Sequence, residues 1–549
     1  MGSTSGSGAA PDASGDEAGS LVGQDGADLP ALFRRIAAAH HEAPAIFAES
    51  PTWTYSALDI ATDGVAASLA ARGVLPGERV ALYCPNGAEF VVAYLGILKA
   101  GAVVVPINLL LNPHEIAFML GDAGARALFF HAAFAEQAAA ALAGAPVVAL
   151  RIGIGLEQDG DVADCHLHQL VQPEQAPAVQ IDPVADAAVI LYTSGTTGRP
   201  KGAVLTHANL ASNAHAVAEA LDLTPATDRF LVVLPMFHAF AGTVGILTPL
   251  LAGAALVPVP RFDPQAITQA IEMHHATIFL GVPSLYAVLM RLDDAQVALW
   301  RSVRLCISGG AALPQALMQA FEQRFQVPML EGDGPTECGP VTAVNRPEGP
   351  RKPGSIGTPI PGVEMRIADP EGNWLPDGEH GEVCVRGPSV MRDYWNLPEE
   401  TAQSFFGDWF RTGDVGWRDA DGYFYLVDRI KDLIISNGIN VYPRIIEEQL
   451  VRHPSVAEAA VVGEPNRIHG EIPIAYVTSE PQQQADAAEL KAWCREHLGS
   501  HEIPRRIEVV DVLPKNAAGK ILKRELRRAG EVERGVADLS GSATPERRT

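Results

Sequence analysis

The 549-residue sequence has no Cys-x-x-Cys pair, and its opening stretch, "MGSTSGSGAAPDASGDEAGS", holds no cationic residue. The cysteines at 84, 165, 306, 338, 384 and 494 lie far apart. Such spacing argues against a zinc ribbon or a disulfide framework and suits scattered thiols in a reducing compartment, the cytoplasm. Without a cationic start and an apolar core, the N-terminus does not read as a secretory signal. Positive charge is also short: 41 Lys plus Arg face 65 Asp plus Glu, a net charge of −24. Bulk electrostatics therefore disfavours nucleic acid, and any anionic ligand needs locally placed donors. Residues 230–260 carry no Asp, Glu, Lys or Arg, a run long enough to span a bilayer. Pro235, Pro249, Pro258 and Pro260 break it, so a buried strand, a pocket-lining helix and a second strand are expected instead.

From residue 78, short apolar runs alternate with amphipathic stretches: "ERVALYC", "GAEFVVAYLGILKAG", "AVVVPI", "PHEIAFMLGDAG", "ARALFFH". The alternation returns in "AAVILYT", "DRFLVVLP", "AALVPV", "ATIFLGV" and "VRLCISGG". This pattern predicts an α/β fold with largely parallel sheets, whose ligand sites lie at strand ends. After about residue 350 the strands shorten between turns ("EMRIAD", "GEVCVRG", "YFYLVD"), and near 430 a small α+β segment begins. The expected organisation is a tail over 1–28, a large domain over 29–430, a small domain over 431–530 and a second tail over 531–549. No internal repeat is evident.

Chemistry concentrates first in "YTSGTTGRPKG", residues 192–202, at the end of an apolar run. Amide hydrogens and the hydroxyls of Thr193, Ser194, Thr196 and Thr197 can surround phosphate oxygens, Gly195 and Gly198 permit close approach, and Lys201 adds charge. The Walker A spacing is not met, because Gly202 follows Lys201. Taken alone, this loop could equally be a flexible surface turn.

The string resembles the phosphate loop of the adenylate-forming superfamily, which includes acyl-CoA synthetases, peptide-synthetase adenylation domains and luciferases. The resemblance runs over about residues 30–530 and is carried, in family order, by "LPMFHAF", "SGGAALP", "EGDGPTE", "WFRTGDVG", "DRIKDLIISNGINVYP" and "PKNAAGKILKREL". It implies α/β subdomains with a distorted β-barrel and a mobile C-terminal domain. The implied reaction has two steps: a carboxylate attacks the α-phosphate of ATP to give acyl-AMP and pyrophosphate, then a thiol displaces AMP. In-line attack on phosphorus needs positioning and charge more than acids and bases.

The resemblance also assigns residues. Glu337, with Thr197, would hold Mg²⁺, and Thr336 would bond the α-phosphate. Gly309, Gly310 and Ala311 and the stretch Gly332-Asp333-Gly334 would border adenine, where the family's usual Tyr is replaced by Asp333. Asp414 would accept from both ribose hydroxyls, assisted by Arg429. Lys520 would bridge the attacking carboxylate and the α-phosphate. Lys431 falls at the hinge position, and Gly438 would leave room for the pantetheine arm of coenzyme A. Without the family context, most of these would read as turn residues or surface charges.

The acid site is expected to involve Phe237, His238, Phe240, Thr243, Gly245, Val282, Ser284 and Tyr286, with His238 as a gate between acid and thiol. The neighbours Phe237 and His238 stand where amino-acid-activating relatives carry an Asp, and an unpaired buried ammonium would be costly. A dicarboxylate lacks a cationic partner within 230–260, although Arg261 and Arg291 lie nearby in sequence. Small residues in "AFAGTVG" suggest an open apolar tunnel, hence a medium- or long-chain fatty acid, with an aromatic acid as the alternative. Coenzyme A is the expected acceptor, a carrier protein the alternative. A homo-oligomer is compatible with the composition.

Overall fold

The computed structural model describes residues 26–48, 52–156, 162–193, 199–437, 439–466, 468–481, 483–515 and 521–527. Ser194, Gly195, Thr196, Thr197, Gly198, Gly438 and Lys520 lie outside them, as do most of both tails.

Among the described residues an eight-stranded and a nine-stranded sheet form the body of the large N-terminal domain. In the first, Arg79–Tyr83 pairs in parallel with Val103–Pro106 and with Ala125–His131. The helices between these strands start and stop on local signals. Pro113–Ala123 opens on a reciprocal capping box between Asn112 and Glu115 and closes on left-handed Gly124 (φ 60°). Ala88–Lys99 is buried along its whole length except at Glu89, which is exposed in the first turn.

The parallel pattern fails at one functionally important place. Ala187–Thr193 and Lys201–Thr206 form an antiparallel hairpin, with Thr193 opposite Lys201. A parallel return needs a crossover of about a dozen residues or more, and 194–200 is too short for one. The phosphate-loop candidate is thus a hairpin loop.

In the nine-stranded sheet, Arg229–Val232, Ala255–Pro258, Ile278–Gly281, Leu305–Ser308 and Met329–Asp333 are joined in parallel. The uncharged 230–260 stretch resolves as expected: strand, π-type helix Phe240–Leu247, short helix Thr248–Leu251, strand. No helix among the described residues is long and apolar enough to cross a membrane. All six cysteines are buried and free.

The turn-rich region folds into an antiparallel half-barrel sheet of Glu364–Ala368, Gly381–Arg386, Trp409–Arg418, Phe405–Phe406 and Phe424–Arg429. The smaller C-terminal domain has its own five-stranded sheet, which packs Ile434, Val461 and Val477 against Ile446 and Leu450 of Pro443–Val451 and Leu490 of Ala487–His497. It touches the half-barrel through Arg444, whose N–H donates to Asp428 Oδ2 at 2.9 Å and whose Nη1 donates to Leu426 O at 2.7 Å.

Candidate active site

Two parallel strands of the nine-stranded sheet, Leu305–Ser308 and Met329–Asp333, end at a common cavity. Its lining includes His238, Phe240, Ser308, Gly309, Gly310, Gly332, Asp333, Gly334 and Thr336 together with the apolar Val217, Leu221, Val244, Ile307, Val341 and Val344. Val217 belongs to helix His207–Ala220, which opens on Thr206, whose Oγ1 accepts from the Asn209 N–H.

The glycines are there for clearance. A Cβ on Gly334 would stand 1.7 Å from the Pro340 carbonyl oxygen, and one on Gly309 would lie 3.2 Å from the Phe240 ring and 3.4 Å from Gly332 O. Gly310 has φ +76° and turns the chain away from the Leu305–Ser308 strand end. Its neighbour Ala311 is exposed. The backbone of Asp333 is fixed by two donations from Thr342 to its carbonyl, from N–H at 2.9 Å and Oγ1 at 3.0 Å. Beneath the glycine turn, Glu331 is 4% exposed. One of its oxygens accepts from the Leu313 N–H at 3.1 Å, the other has no hydrogen-bond partner, and burial pushes its carboxyl up to about 7.

Glu337 follows in a short 3₁₀ turn, Thr336–Cys338, and accepts from the Tyr394 hydroxyl at 2.8 Å. Burial first, then the Glu337 charge, raises the Tyr394 phenol above its ordinary value. Tyr394 in turn pairs with the strand that carries Lys201, and the Lys201 ammonium lies 5.3 Å from its ring centre. One tyrosine thus connects the end of the phosphate-loop hairpin to the acidic motif. Sequence reasoning missed it, since a Tyr in "RDYWN" gives no sign of a partner lying 57 positions upstream.

Asp414 and Arg429 meet across two strands of the half-barrel, Nε to Oδ1 at 2.6 Å, with the carboxylate 5% exposed. The Asp414 charge holds the Arg429 guanidinium above its usual range. Lys431 lies two positions on, exposed in the 3₁₀ turn Ile430–Asp432. Thr193 and Lys201 are half-buried at the mouth of the hairpin.

Several expected acid-site residues are not lining groups. Tyr286 is fully buried; its hydroxyl donates to Ile307 O at 2.8 Å, and its ring meets Phe279 and Phe321 edge-on. It braces the sheet from the far side, because helix Pro283–Leu289 packs that ring against helix Gln315–Phe325. Phe237 and Thr243 are buried in the core, and Gly245 packs against Val232 and Leu280. Val282 touches the glycine turn from below, and Ser284 is half-buried in the helix that follows. The expected open tunnel does not show at this place, where the cavity holds about 60 Å³. Small residues in the π-type helix let it pack closer to the sheet instead of leaving space.

The residues present fit a magnesium ion that is shared with a nucleotide. No group of three or more His, Cys, Asp or Glu among the described residues could cage a metal. A lone carboxylate such as Glu337 matches Mg²⁺, which keeps several waters and is bound through one or two carboxylates plus substrate phosphates.

The sequence matches the family model of the AMP-binding enzyme over residues 33–395 and that of the AMP-binding enzyme C-terminal domain over 445–520. The chain belongs to the AMP-binding enzyme family. It is 35% identical over 498 residues to a long-chain-fatty-acid–CoA ligase of Bacillus subtilis (strain 168), covering 85% of this chain and 89% of the relative. It is 39% identical over 476 residues to a feruloyl-CoA synthase of Amycolatopsis sp, covering 86% and 93%. Among solved structures it resembles the anthranilate CoA ligase AuaEII in complex with anthranoyl-AMP, at TM-score 0.86 and 31% identity, covering 93% and 98%. The chain is an AMP-forming acid–CoA ligase, in line with these relatives.

Proposed function

We propose that this enzyme activates an apolar monocarboxylic acid, a medium- or long-chain fatty acid as the first reading, and passes it to coenzyme A. The observation that carries this reading is the apolar part of the cavity lining. Val217, Leu221, Val244, Val341 and Val344 offer no cation for a second carboxylate and no anion for an ammonium. An aryl acid is the second reading, supported by the likeness to a feruloyl-CoA synthase and to an anthranilate CoA ligase.

In the first step one oxygen of the acid attacks the α-phosphorus of ATP, the bond to the β-phosphate breaks, and pyrophosphate leaves. Asp333, the glycines of 309–310 and Gly332 border the base. Asp414, aligned by Arg429, accepts from the ribose, and Thr336 donates to the α-phosphate. Thr193 to Gly198 and Lys201 enclose the polyphosphate. Lys520, outside the described residues, supplies charge at the oxygens that become negative. Glu337, oriented by Tyr394, would hold Mg²⁺, which when bound neutralises phosphate charge.

In the second step the C-terminal domain rotates about Lys431, removing Lys520 and bringing in the hairpin with Gly438. The thiol sulfur bonds to the acyl carbon, its proton goes to solvent, and AMP leaves. Such rotation has to break the two Arg444 hydrogen bonds to Leu426 and Asp428. The six buried free cysteines support a reducing setting, the cytoplasm.

The test is a panel of straight-chain, aromatic, amino and dicarboxylic acids with ATP and coenzyme A, read by mass spectrometry. Fatty acids should give acyl-CoA, AMP and pyrophosphate in equal amounts. Preferred turnover of amino acids or dicarboxylates would refute the substrate reading.

A further inference from the structure

Asp414 is not held by regular strand geometry. Between the pairs Glu382–Val415 and Cys384–Arg411, the single residue Val383 of Gly381–Arg386 stands opposite Thr412, Gly413 and Asp414 of Trp409–Arg418. The resulting bulge pushes Asp414 toward Arg429 on the other neighbouring strand. Gly413 has φ +73°, a conformation that a side chain would strain.

A bulge leaves backbone groups without ladder partners, and here Glu382 takes one of them. Its Oε1 accepts from the Gly413 N–H at 3.2 Å, while its Oε2 accepts from Arg411 Nε at 2.9 Å and Nη2 at 2.8 Å. Both ends of the segment leading into the bulge are thereby tied to one carboxylate. Thr412 completes the frame: its Oγ1 donates to Val383 O at 2.8 Å and accepts from the Asp414 N–H at 3.0 Å. The Glu382 side chain is 6% exposed and that of Arg411 33%. Burying a carboxylate this deeply is costly unless every partner is in place.

We propose that Glu382 is a positioning residue for the nucleotide: it fixes the Thr412–Asp414 bulge so that the Asp414 carboxylate is preset to receive the ribose hydroxyls. The proposal rests on the reading of Asp414 as the ribose acceptor. Glu382 acts through backbone and through Arg411, and it does not itself touch ATP. Removing it lets the bulge relax into several arrangements, and Asp414 then has to be reordered each time ATP binds.

The experiment compares kcat/KM for ATP and for 2′-deoxy-ATP in the intact enzyme, in Asp414→Asn, and in Glu382→Ala and Glu382→Gln. A merely structural role would lower activity with both nucleotides equally and leave their ratio unchanged. The expected result is that Asp414→Asn collapses the preference for ATP. Glu382→Ala should lower it about tenfold, the scale of one or two lost hydrogen bonds to a charged group, with the acid KM unmoved. Glu382→Gln keeps an oxygen for the Gly413 N–H but sets an amide against Arg411, and should fall between; it carries the test if the Ala variant does not fold. Two results overturn the proposal and can be told apart. If Asp414→Asn collapses the ratio while Glu382→Gln and any folded Ala variant keep it, the positioning role is wrong and the reading of Asp414 survives. If Asp414→Asn leaves the ratio unchanged, that reading fails and the proposal falls with it.

Discussion

Part of the cavity lining, the polar end, consists of Asp333, Thr336 and the Gly309–Gly310 turn and presents polar atoms, while Val217, Leu221 and Val244, the apolar end, present methyl groups. The polar end is specified atom by atom. Gly334 admits no Cβ, Thr342 donates twice to Asp333 O, and Glu337 shares a hydrogen bond with Tyr394. Changing one residue there leaves a donor unmatched or drives an atom into the backbone. The apolar end is specified by volume, which many combinations of Val, Leu and Ile can supply. The difference teaches why a chemistry common to many acids can sit beside a substrate preference that varies freely: the reaction depends on fixed atoms and the acid on adjustable space.

The largest expected effect separates the half-reactions at the polar end. Lys520→Ala should lower adenylate formation by about 10²–10³-fold, the scale of losing one preorganised charge. It should largely spare thioester formation from supplied acyl-adenylate. Lys431→Pro should do the reverse, because a fixed φ obstructs rotation: pyrophosphate release persists and coenzyme A-dependent turnover falls. A folded Lys520→Ala enzyme that loses both steps equally would remove that lysine from the first transition state.

Val244→Phe tests the apolar end alone. Filling space worth one or more methylenes should cost about fourfold in the acid KM per methylene displaced, at about 0.8 kcal/mol each, and shift preference to shorter acids. The ATP KM should stay put. If it moves in parallel, the two ends are not separately built.

Asp333→Tyr sharpens the comparison from the other side. An aromatic face stacked on a base is worth roughly 1–3 kcal/mol, so the ATP KM should fall about fivefold or more while the acid KM stays near its starting value. Weaker ATP binding in this variant, or loss of discrimination against GTP in Asp333→Ala, would mean that Asp333 itself reads the base.

A further effect, on stability and not on turnover, concerns Glu331. Burial holds the Glu331 carboxyl up to about 7, whereas an unfolded glutamate titrates near ~4.3. Between those values the folded protein keeps a proton that the unfolded chain has released. The stabilisation is therefore complete below the lower value and drains away as pH rises through the upper one. Arg444 opposes this rise, while Asp333 and Glu448 add to it. Melting temperatures of wild type and Glu331→Gln should diverge from about pH 5 to about pH 7.5, with wild type losing ground. A constant difference would show that Glu331 does not titrate in that range.

The legibility of the sequence follows the same division. Strands such as Ala187–Thr193 and Ala125–His131 were readable because strands buried on both faces of a sheet are continuous apolar runs. The phosphate-loop hairpin was not, since pairing direction is set by loop length and tertiary context instead of by periodicity. At the site, His238, Gly309, Gly332, Asp333 and Thr336, which the family resemblance singled out, line one cavity. Tyr286 could not be distinguished from a lining residue, because an aromatic side chain on a helix beside a pocket carries the same signal whichever way it points. Glu382 and Tyr394 went unnoticed for a related reason: their importance lies in partners 29 and 57 positions away.

The most direct test of the central claim follows the oxygen of the acid. With the best acid of the panel labelled with ¹⁸O in its carboxylate, a single turnover with ATP and coenzyme A should place one labelled oxygen in AMP and none in pyrophosphate. That outcome requires attack on the α-phosphorus and release of AMP by the thiol. Label in inorganic phosphate with formation of ADP, or unlabelled AMP beside acyl-CoA, would contradict it.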